Sequence, residues 1–323
     1  MNTAARKPQP LPYVIMTIGI IAVSFAAIFI RIADDAPAIV IAAYRLILAT
    51  VVMTPFSLRR AVAERVHYSR RTILLNILSG AALALHFVCW IASLKYTSVA
   101  RSVLLVATNP FFVAIMGRIV LKEKIKTAAM VGMVLALAGI FLMSALNGGV
   151  TEGGITDGRF TGDILALAGA FFAAVYMLFG RHIRQTVSTT AYAYMTYGVA
   201  AAVLVVVMIL TGASWTGYAS QTYLMFLLLA LVPQIIGHTS FNYALKFLPA
   251  VSVSIVILGE PVGAAFLAWI FLGEGVSLGT FIGGAIILSG VFLTVYSQNP
   301  NQKHDKNTIQ NENPTDLVNG GSL

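Results

Sequence analysis

The sequence predicts an all-α membrane protein of ten transmembrane helices arranged as two inverted five-helix repeats, and three observations carry that expectation. Of its 323 residues, 58% are hydrophobic and only 10% charged, where a soluble domain carries about a quarter charged residues. Mean hydropathy is +0.85, and apolar runs recur along the chain that can each cross about 30 Å of hydrocarbon at about 1.5 Å per residue. The third observation is an internal repeat at a shift of 151 residues, with the halves entering the membrane from opposite sides. An ordinary cytosolic or secreted enzyme is excluded by this composition.

The first run, 12–31, ends at Arg31 before the acidic pair Asp34 and Asp35 without a small-residue cleavage site, so it is a retained span rather than a signal peptide. The second, 37–57, carries Arg45 and runs into the basic loop Arg59, Arg60, Arg65, Arg70, Arg71. The third, 72–94, bears a line of polar residues and the single cysteine, Cys89, which can form no intramolecular disulfide. The fourth, 99–120, contains Pro110 and leads to the cluster Arg118, Lys122, Lys124, Lys126. In the fifth, 127–146, Gly132 and Gly139 share a face suited to close helix packing. The sixth, 162–180, opens with Asp163, expected as a helix N-cap. The seventh is 190–211, and the eighth, 222–245, is interrupted by Pro233. The ninth, 250–272, holds Glu260 and Pro261, and the tenth, 277–297, has Gly283 and Gly290 as its glycine pair.

With the amino terminus inside, 16 of the 21 Lys and Arg fall on the inner side, four (Arg31, Lys95, Arg101, Arg159) on the outer, and Arg45 within a span. Both termini are then cytoplasmic. These basic residues come in short bursts between spans rather than as one patch, which reads as topology and not as a nucleic-acid surface.

The 151-residue shift lays 86–143 on 237–294. Lys95 falls on Lys246, Pro110 on Pro261, Glu123 on Glu274, and Gly132 and Gly139 on Gly283 and Gly290. The chain accordingly divides into a cytoplasmic segment 1–11, a first repeat 12–146, an outer glycine-rich linker 147–161, a second repeat 162–297 and a polar tail 298–323 too poor in apolar residues to fold. Five spans per repeat is an odd number, so the repeats are inverted, an architecture suited to alternating access to a midplane site.

Four stretches carry a family resemblance: SLKYTSVARSVLLVATNPFFVAIMGRIVLKEKI, its partner ALKFLPAVSVSIVILGEPVGAAFLAWIFLGEGV, YRLILAT in the second span and GDILALAGAFFAAVY opening the sixth. Together they resemble the EamA-type members of the drug/metabolite transporter superfamily over residues 12–297. The resemblance implies ten helices, cytoplasmic termini, residence in the cell (inner) membrane and export of small metabolites by a secondary transporter.

Polar groups inside spans are costly and mark candidate sites. Asn76, Ser79, His86, Trp90, Ser93 and Thr97 follow three- and four-residue steps, with one of seven between Ser79 and His86, along one face of the third span, and Gln234, His238, Asn242 and Lys246 step by four along the eighth. Two such stripes in repeat-equivalent helices suggest two walls of one cavity, the alternative being interhelical hydrogen bonding worth about 0.6 to 2 kcal/mol per contact. The substrate-cavity candidates are His86, Trp90, Ser93, Asn109, Gln234, His238, Asn242 and Glu260. Glu260 is the carboxylate deep in a span, opposite the neutral Asn109 in the repeat; it is a candidate for proton coupling, for pairing with a cationic substrate group, Arg45 or His238, or for helix packing alone. Pro110 and Pro261 are expected helix breaks that leave the carbonyls of Val106 and Ile257 without helical partners. Arg45 is expected to be structural, and of the aromatic residues Phe25, Tyr44, Trp90, Tyr96 and Tyr176, only Trp90 shares the His86 face.

No cofactor and no metal are implied: His86 and His238 lie in separate halves, no HExxH or nucleophile-elbow pattern occurs, and no GKS or GKT follows the glycine-rich linker. The expected partners are a small polar substrate, with an amino acid the leading class, and the lipid bilayer, with the chain a monomer or homodimer. A facilitative channel and a non-transporting receptor or assembly subunit are the rival functions.

Overall fold

The computed structural model describes residues 11–64, 68–96, 102, 105–122, 125–146, 159–272 and 277–297. The segments 1–10, 147–158 and 298–323, together with Arg65, Thr97, Arg101, Glu123, Lys124, Gly273 and Glu274, lie outside them. The described residues are helical throughout, with short turns and no strand. The helices are α1 (Leu11–Ser24), α2 (Ala26–Ile32), α3 (Ala38–Glu64), α4 (Arg70–Tyr96), α5 (Asn109–Met116), α6 (Thr127–Leu146), α7 (Arg159–Ile183), α8 (Thr189–Thr211), α9 (Ser220–Leu229), α10 (Thr239–Ala244), α11 (Ala250–Ile257), α12 (Glu260–Leu272) and α13 (Leu278–Ser297). Wider π-helical turns follow α5 at Gly117–Leu121 and join α9 to α10 at Ala230–His238.

Eight helices or collinear helix pairs are long and apolar enough to cross a membrane, and two shorter apolar helices, Asn109–Leu121 and Thr127–Met143, stand at the expected fourth and fifth spans. The chain is therefore a multi-pass membrane protein, because a polypeptide in hydrocarbon must satisfy its backbone internally and helices do so.

The two mid-span prolines interrupt their helices more fully than a kink would. Ala107 and Thr108 form a turn before α5, and Leu258 and Gly259 form one between α11 and α12. Thr108 N donates to Leu105 O at 3.1 Å, and Leu258 N donates to Ile255 O at 3.0 Å, so each approach tightens before it stops. Pro110 and Pro261 then stand in the first turn of the following helix, where a missing N–H costs nothing. The two breaks are 151 residues apart, the shift of the sequence repeat. Pro233 has a different outcome: the helix continues through it as π turns, which accommodate the lost donor without a break.

The main contacts run between the halves: α6 lies along α13, α4 along α7 and α8, α3 along α8, α1 along the Ala230–His238 stretch and α10, and α5 against α7 and α11. The α6–α13 contact depends on the two glycine pairs: a Cβ at Gly132 would lie 2.5 Å from Gly290 O, and one at Gly139 would lie 2.8 Å from Gly283 O. Without side chains there, the backbones approach closely enough for van der Waals attraction, the main force between helices in lipid.

Acidic groups fasten the ends of the bundle. Asp35 accepts hydrogen bonds from Ala219 N at 2.8 Å and Thr222 Oγ1 at 2.6 Å, capping α9 from a distant turn. At the other end of α3, Glu64 accepts from Ser188 N at 2.9 Å before α8. The Thr222 hydroxyl, then the Ala219 amide, hold the Asp35 carboxyl below its ordinary range. Asp163 does not cap α7, which begins earlier at Arg159 and so carries it within the helix.

Candidate functional site

A cavity of about 150 Å³ lies in the middle of the bundle, beside both helix breaks. That is room for roughly five waters at about 30 Å³ each. Six of the eight cavity candidates line it: His86 and Trp90 from α4, Asn109 at the start of α5, His238, Asn242, and Glu260 at the start of α12. Pro110 and Pro261 line it too.

The other two candidates do not. Ser93 donates to Trp90 O at 2.7 Å and shares a 2.6 Å hydrogen bond with Ser102, which binds the two ends of that region together. Gln234 is fully buried behind the wall, its Oε1 accepting from Arg45 Nε at 2.8 Å. A helical stripe therefore does not have one neighbour along its length. Lower on α4, Asn76 donates to Thr196 Oγ1 at 3.1 Å, and Ser79 meets Tyr192 OH at 2.7 Å, both across the interface with α8. Above them the same face reaches the cavity.

The polar walls are held in place by named bonds. His86 Nδ1 donates to Gly169 O at 2.9 Å, which fixes the ring nearly parallel to Trp90, interplanar angle 4° and centroids 6.1 Å apart. Asn242 accepts from Tyr176 OH at 2.8 Å. Asn109 Nδ2 donates to Ala170 O at 2.9 Å and ties the start of α5 to α7. His238 packs edge-on to Phe87, with centroids 5.4 Å apart. Glu260 is engaged through its backbone, where its carbonyl accepts from Ser24 Oγ at 3.2 Å.

Tyr176 and Arg45 are among the cavity residues that stand outside the sequence-derived candidates. Tyr176 is buried and orients Asn242, and among the aromatics it lines the cavity with Trp90, while Phe25, Tyr44 and Tyr96 do not. Tyr44 instead donates to Trp215 O at 2.8 Å in an aromatic cluster with Tyr223 and Phe226. Arg45, 1% exposed, reaches the cavity with its guanidinium carbon 4.1 Å from the centre of the Phe87 ring. A cation within a span is a functional candidate by default, and that signal was present in the sequence.

The lining is built from equivalent positions of the two halves. At the 151-residue shift it contains Ala26 with Met177, Phe87 with His238, Trp90 with Phe241, Val106 with Ile257, Ala107 with Leu258, Asn109 with Glu260, and Pro110 with Pro261. Such an arrangement can hold a small solute between the halves, with aromatic and aliphatic walls and a few fixed polar groups.

The chain matches the EamA-like transporter family twice, over residues 11–145 and 160–296. An uncharacterized transporter from Archaeoglobus fulgidus is 26% identical over 235 residues, spanning 69% of this chain and 76% of its own. The uncharacterized transporter YxxF from Bacillus subtilis is 23% identical over 229 residues, 71% of each chain. A solved crystal structure superposes with a TM-score of 0.75 over 88% of this chain and 96% of its own, at 18% identity, and so shares the fold.

Proposed function

The chain belongs to the EamA-like transporter family, and from that premise we propose that it is a secondary transporter exporting a small polar metabolite, an amino acid or a related compound, by alternating access. The observation that carries this reading is the cavity lined by equivalent positions of both halves at the two helix breaks. Residues 12–146 and 162–297 act as inverted repeats, 147–161 links them, and the termini, 1–11 and 298–323, are cytoplasmic in the cell (inner) membrane.

Contacts between the halves support that arrangement. The helix pairings reproduce themselves when each span is exchanged with the one five further on: the third pairs with the sixth as the eighth pairs with the first, and second with seventh, fourth with ninth and fifth with tenth are self-equivalent. The chain ends assigned to one side also meet there. Glu64 meets Ser188, Arg181 donates to the Leu245 and Lys246 carbonyls, and Lys126 donates to Ser297 O. The Lys and Arg excess makes that side cytoplasmic.

Substrate binds between the third, fourth, eighth and ninth spans, with His86, Trp90, Asn109, His238, Asn242 and Glu260 around it, and Glu260 is the candidate for proton coupling. Export is the direction the family resemblance implies. Counterflow in proteoliposomes tests the reading, using labelled amino acids, nucleosides and sugars, with and without a pH gradient, and with Glu260→Gln in parallel. Saturable counterflow establishes a carrier, and unsaturable flux a channel. A Glu260→Gln protein that keeps counterflow but no longer responds to the gradient assigns the proton to Glu260; one that behaves as wild type makes the carboxylate structural.

A further inference from the structure

Two arginines at the end of α7 grip one wall of the cavity from behind, and neither has a twin in the other half. Arg181 Nη1 donates to Leu245 O at 2.8 Å and Lys246 O at 3.1 Å, and the buried Arg184 donates from Nε to Asn242 O at 3.1 Å. These carbonyls lie at the end of α10, where a helix has run out of its own donors and its dipole favours a cation. Asn242 and Leu245 also line the cavity. Arg184 Nη1 and Nη2 donate to Val187 O and Thr189 Oγ1, which fixes that guanidinium to the turn before α8. At the 151-residue shift Arg181 falls on Ile30 and Arg184 on Ala33, at the end of α2, and neither of those carries a side-chain donor.

The segment that the arginines hold is itself jointed. α10 is joined to α9 through the π turns around Pro233, whereas its counterpart in the third span belongs to the uninterrupted α4. Such turns give up the regular helical ladder and leave α10 a place to bend. The pairs of second with seventh and fifth with tenth spans are self-equivalent under the repeat, so their bonds do not distinguish one face from the other. A contact between the sixth and eighth spans maps onto the first and third at the opposite face, where Ile30 and Ala33 supply no donor. The Asp35 clasp ties the turn after the first span to the eighth, which the first span packs along, and not to the third. We propose that Arg181 and Arg184 form a latch that closes the cavity toward the cytoplasm by holding α10 to the end of α7. The proposal rests on the carrier reading and adds the residues that decide which face is closed at rest. Opening inward strips these guanidiniums from their carbonyls, and opening outward breaks no equivalent bonds.

The test uses the full chain with Cys89→Ala, which removes its single thiol, and Ser254→Cys as a reporter on the cavity wall. A membrane-impermeant methanethiosulfonate reagent reaches it from outside in spheroplasts and from inside in inverted vesicles. With the latch intact, labelling is expected to be faster from outside; faster labelling from inside overturns the proposal. Arg181→Gln should raise the inside-to-outside ratio roughly 10- to 100-fold, the worth of hydrogen bonds to a charged group, and Arg184→Lys, which keeps the charge and loses the fork, should move it the same way. Lys126→Gln cuts a bond to Ser297 O on the same face, between the fifth and tenth spans, and should leave the ratio where it was. A ratio that Arg181→Gln does not move, or that Lys126→Gln moves as far, overturns the latch and leaves the arginines as helix caps. Should Arg181→Gln fail to fold, Arg181→Lys is expected to give a smaller rise in the same direction, and no rise overturns the latch. Counterflow of the labelled panel runs alongside in proteins that keep Ser254: counterflow with an unmoved ratio overturns the latch and leaves the carrier standing, whereas no counterflow of any probe by folded protein overturns both.

Discussion

The division of the α4 stripe into an interhelical part and a cavity part makes Ser79 a sharp test. Ser79 and Tyr192 are both fully buried and joined at 2.7 Å. Thr196, one turn along α8, accepts from Asn76, so two side-chain hydrogen bonds link α4 to α8. Ser79→Ala removes the hydrogen bond to Tyr192 and leaves the buried Tyr192 hydroxyl without it, so the cost should be about 1 to 3 kcal/mol. Tyr192→Phe removes the same hydrogen bond from the other side and leaves the buried Ser79 hydroxyl without it, at about 1 to 3 kcal/mol. Together they should cost less than the sum, by a coupling of about 0.6 to 1.7 kcal/mol, the range for hydrogen bonds between membrane helices. Reversible thermal or denaturant unfolding in detergent measures the cycle, and counterflow measures KM alongside it. KM should stay at the wild-type value in all three proteins, because the pair lies outside the cavity. A coupling of zero would refute the hydrogen bond's part in stability. A rise in KM in any of the three would refute the division of the stripe.

Gly283→Leu should prevent proper assembly, since even a Cβ there would come within 2.7 Å of Gly139 O and the fault lies in backbone, not in a flexible side chain; overpacking of about 1 to 3 kcal/mol or more should appear as loss of the monodisperse peak in size-exclusion chromatography. Pro261→Ala restores a backbone donor near Ile257 and favours one continuous helix from α11 to α12, so counterflow should slow while the thermal midpoint is kept or raised, and a wild-type rate would make the break passive. For Asp35, the folded-state carboxyl is held below its ordinary 3.8 by Thr222 and then Ala219. A depressed folded value means the stabilisation is present above the ordinary value and lost as pH falls through the folded one. The clasp should therefore be constant across neutral pH and weaken only below about 3.8, a loss that thermal melts of wild type show and that Asp35→Asn lacks.

Hydropathy and charge made the spans legible because a bilayer leaves a chain few options: backbone polar groups must be satisfied within the segment. The breaks at Ala107–Thr108 and Leu258–Gly259 were legible for the same reason, since a proline in mid-span has a predictable backbone cost. What sits opposite each polar residue was not. Helical periodicity assigns Asn76, Ser79, His86 and Trp90 to one face, but the neighbour across that face changes along α4, from α8 beside Asn76 and Ser79 to the cavity beside His86 and Trp90. Gln234 fails in the opposite sense: it sits on the expected stripe, yet a long side chain from α3 comes between it and the cavity. Arg45 was discounted because a lone cation reads equally well as a snorkelling or capping group until its depth is known, and at 1% exposure with Phe87 under its guanidinium it is neither.

The repeat explains the cavity's shape, and its departures from the repeat explain the chemistry. Equivalent prolines and aliphatic residues, Pro110 with Pro261 and Val106 with Ile257, give matching breaks and walls on each side. Every strongly polar feature breaks that match: Glu260 stands opposite Asn109, His238 opposite Phe87, Arg45 opposite Thr196, and Gln234 opposite Leu83. A cavity with strict two-fold symmetry would present each charge twice, and two carboxylates or two guanidiniums in one small space would repel. Divergence between the halves instead places one basic and one acidic side chain on the wall of a common chamber. The scaffold keeps its equivalence at the breaks and the aliphatic walls, while the few unmatched side chains set the chemistry of the chamber.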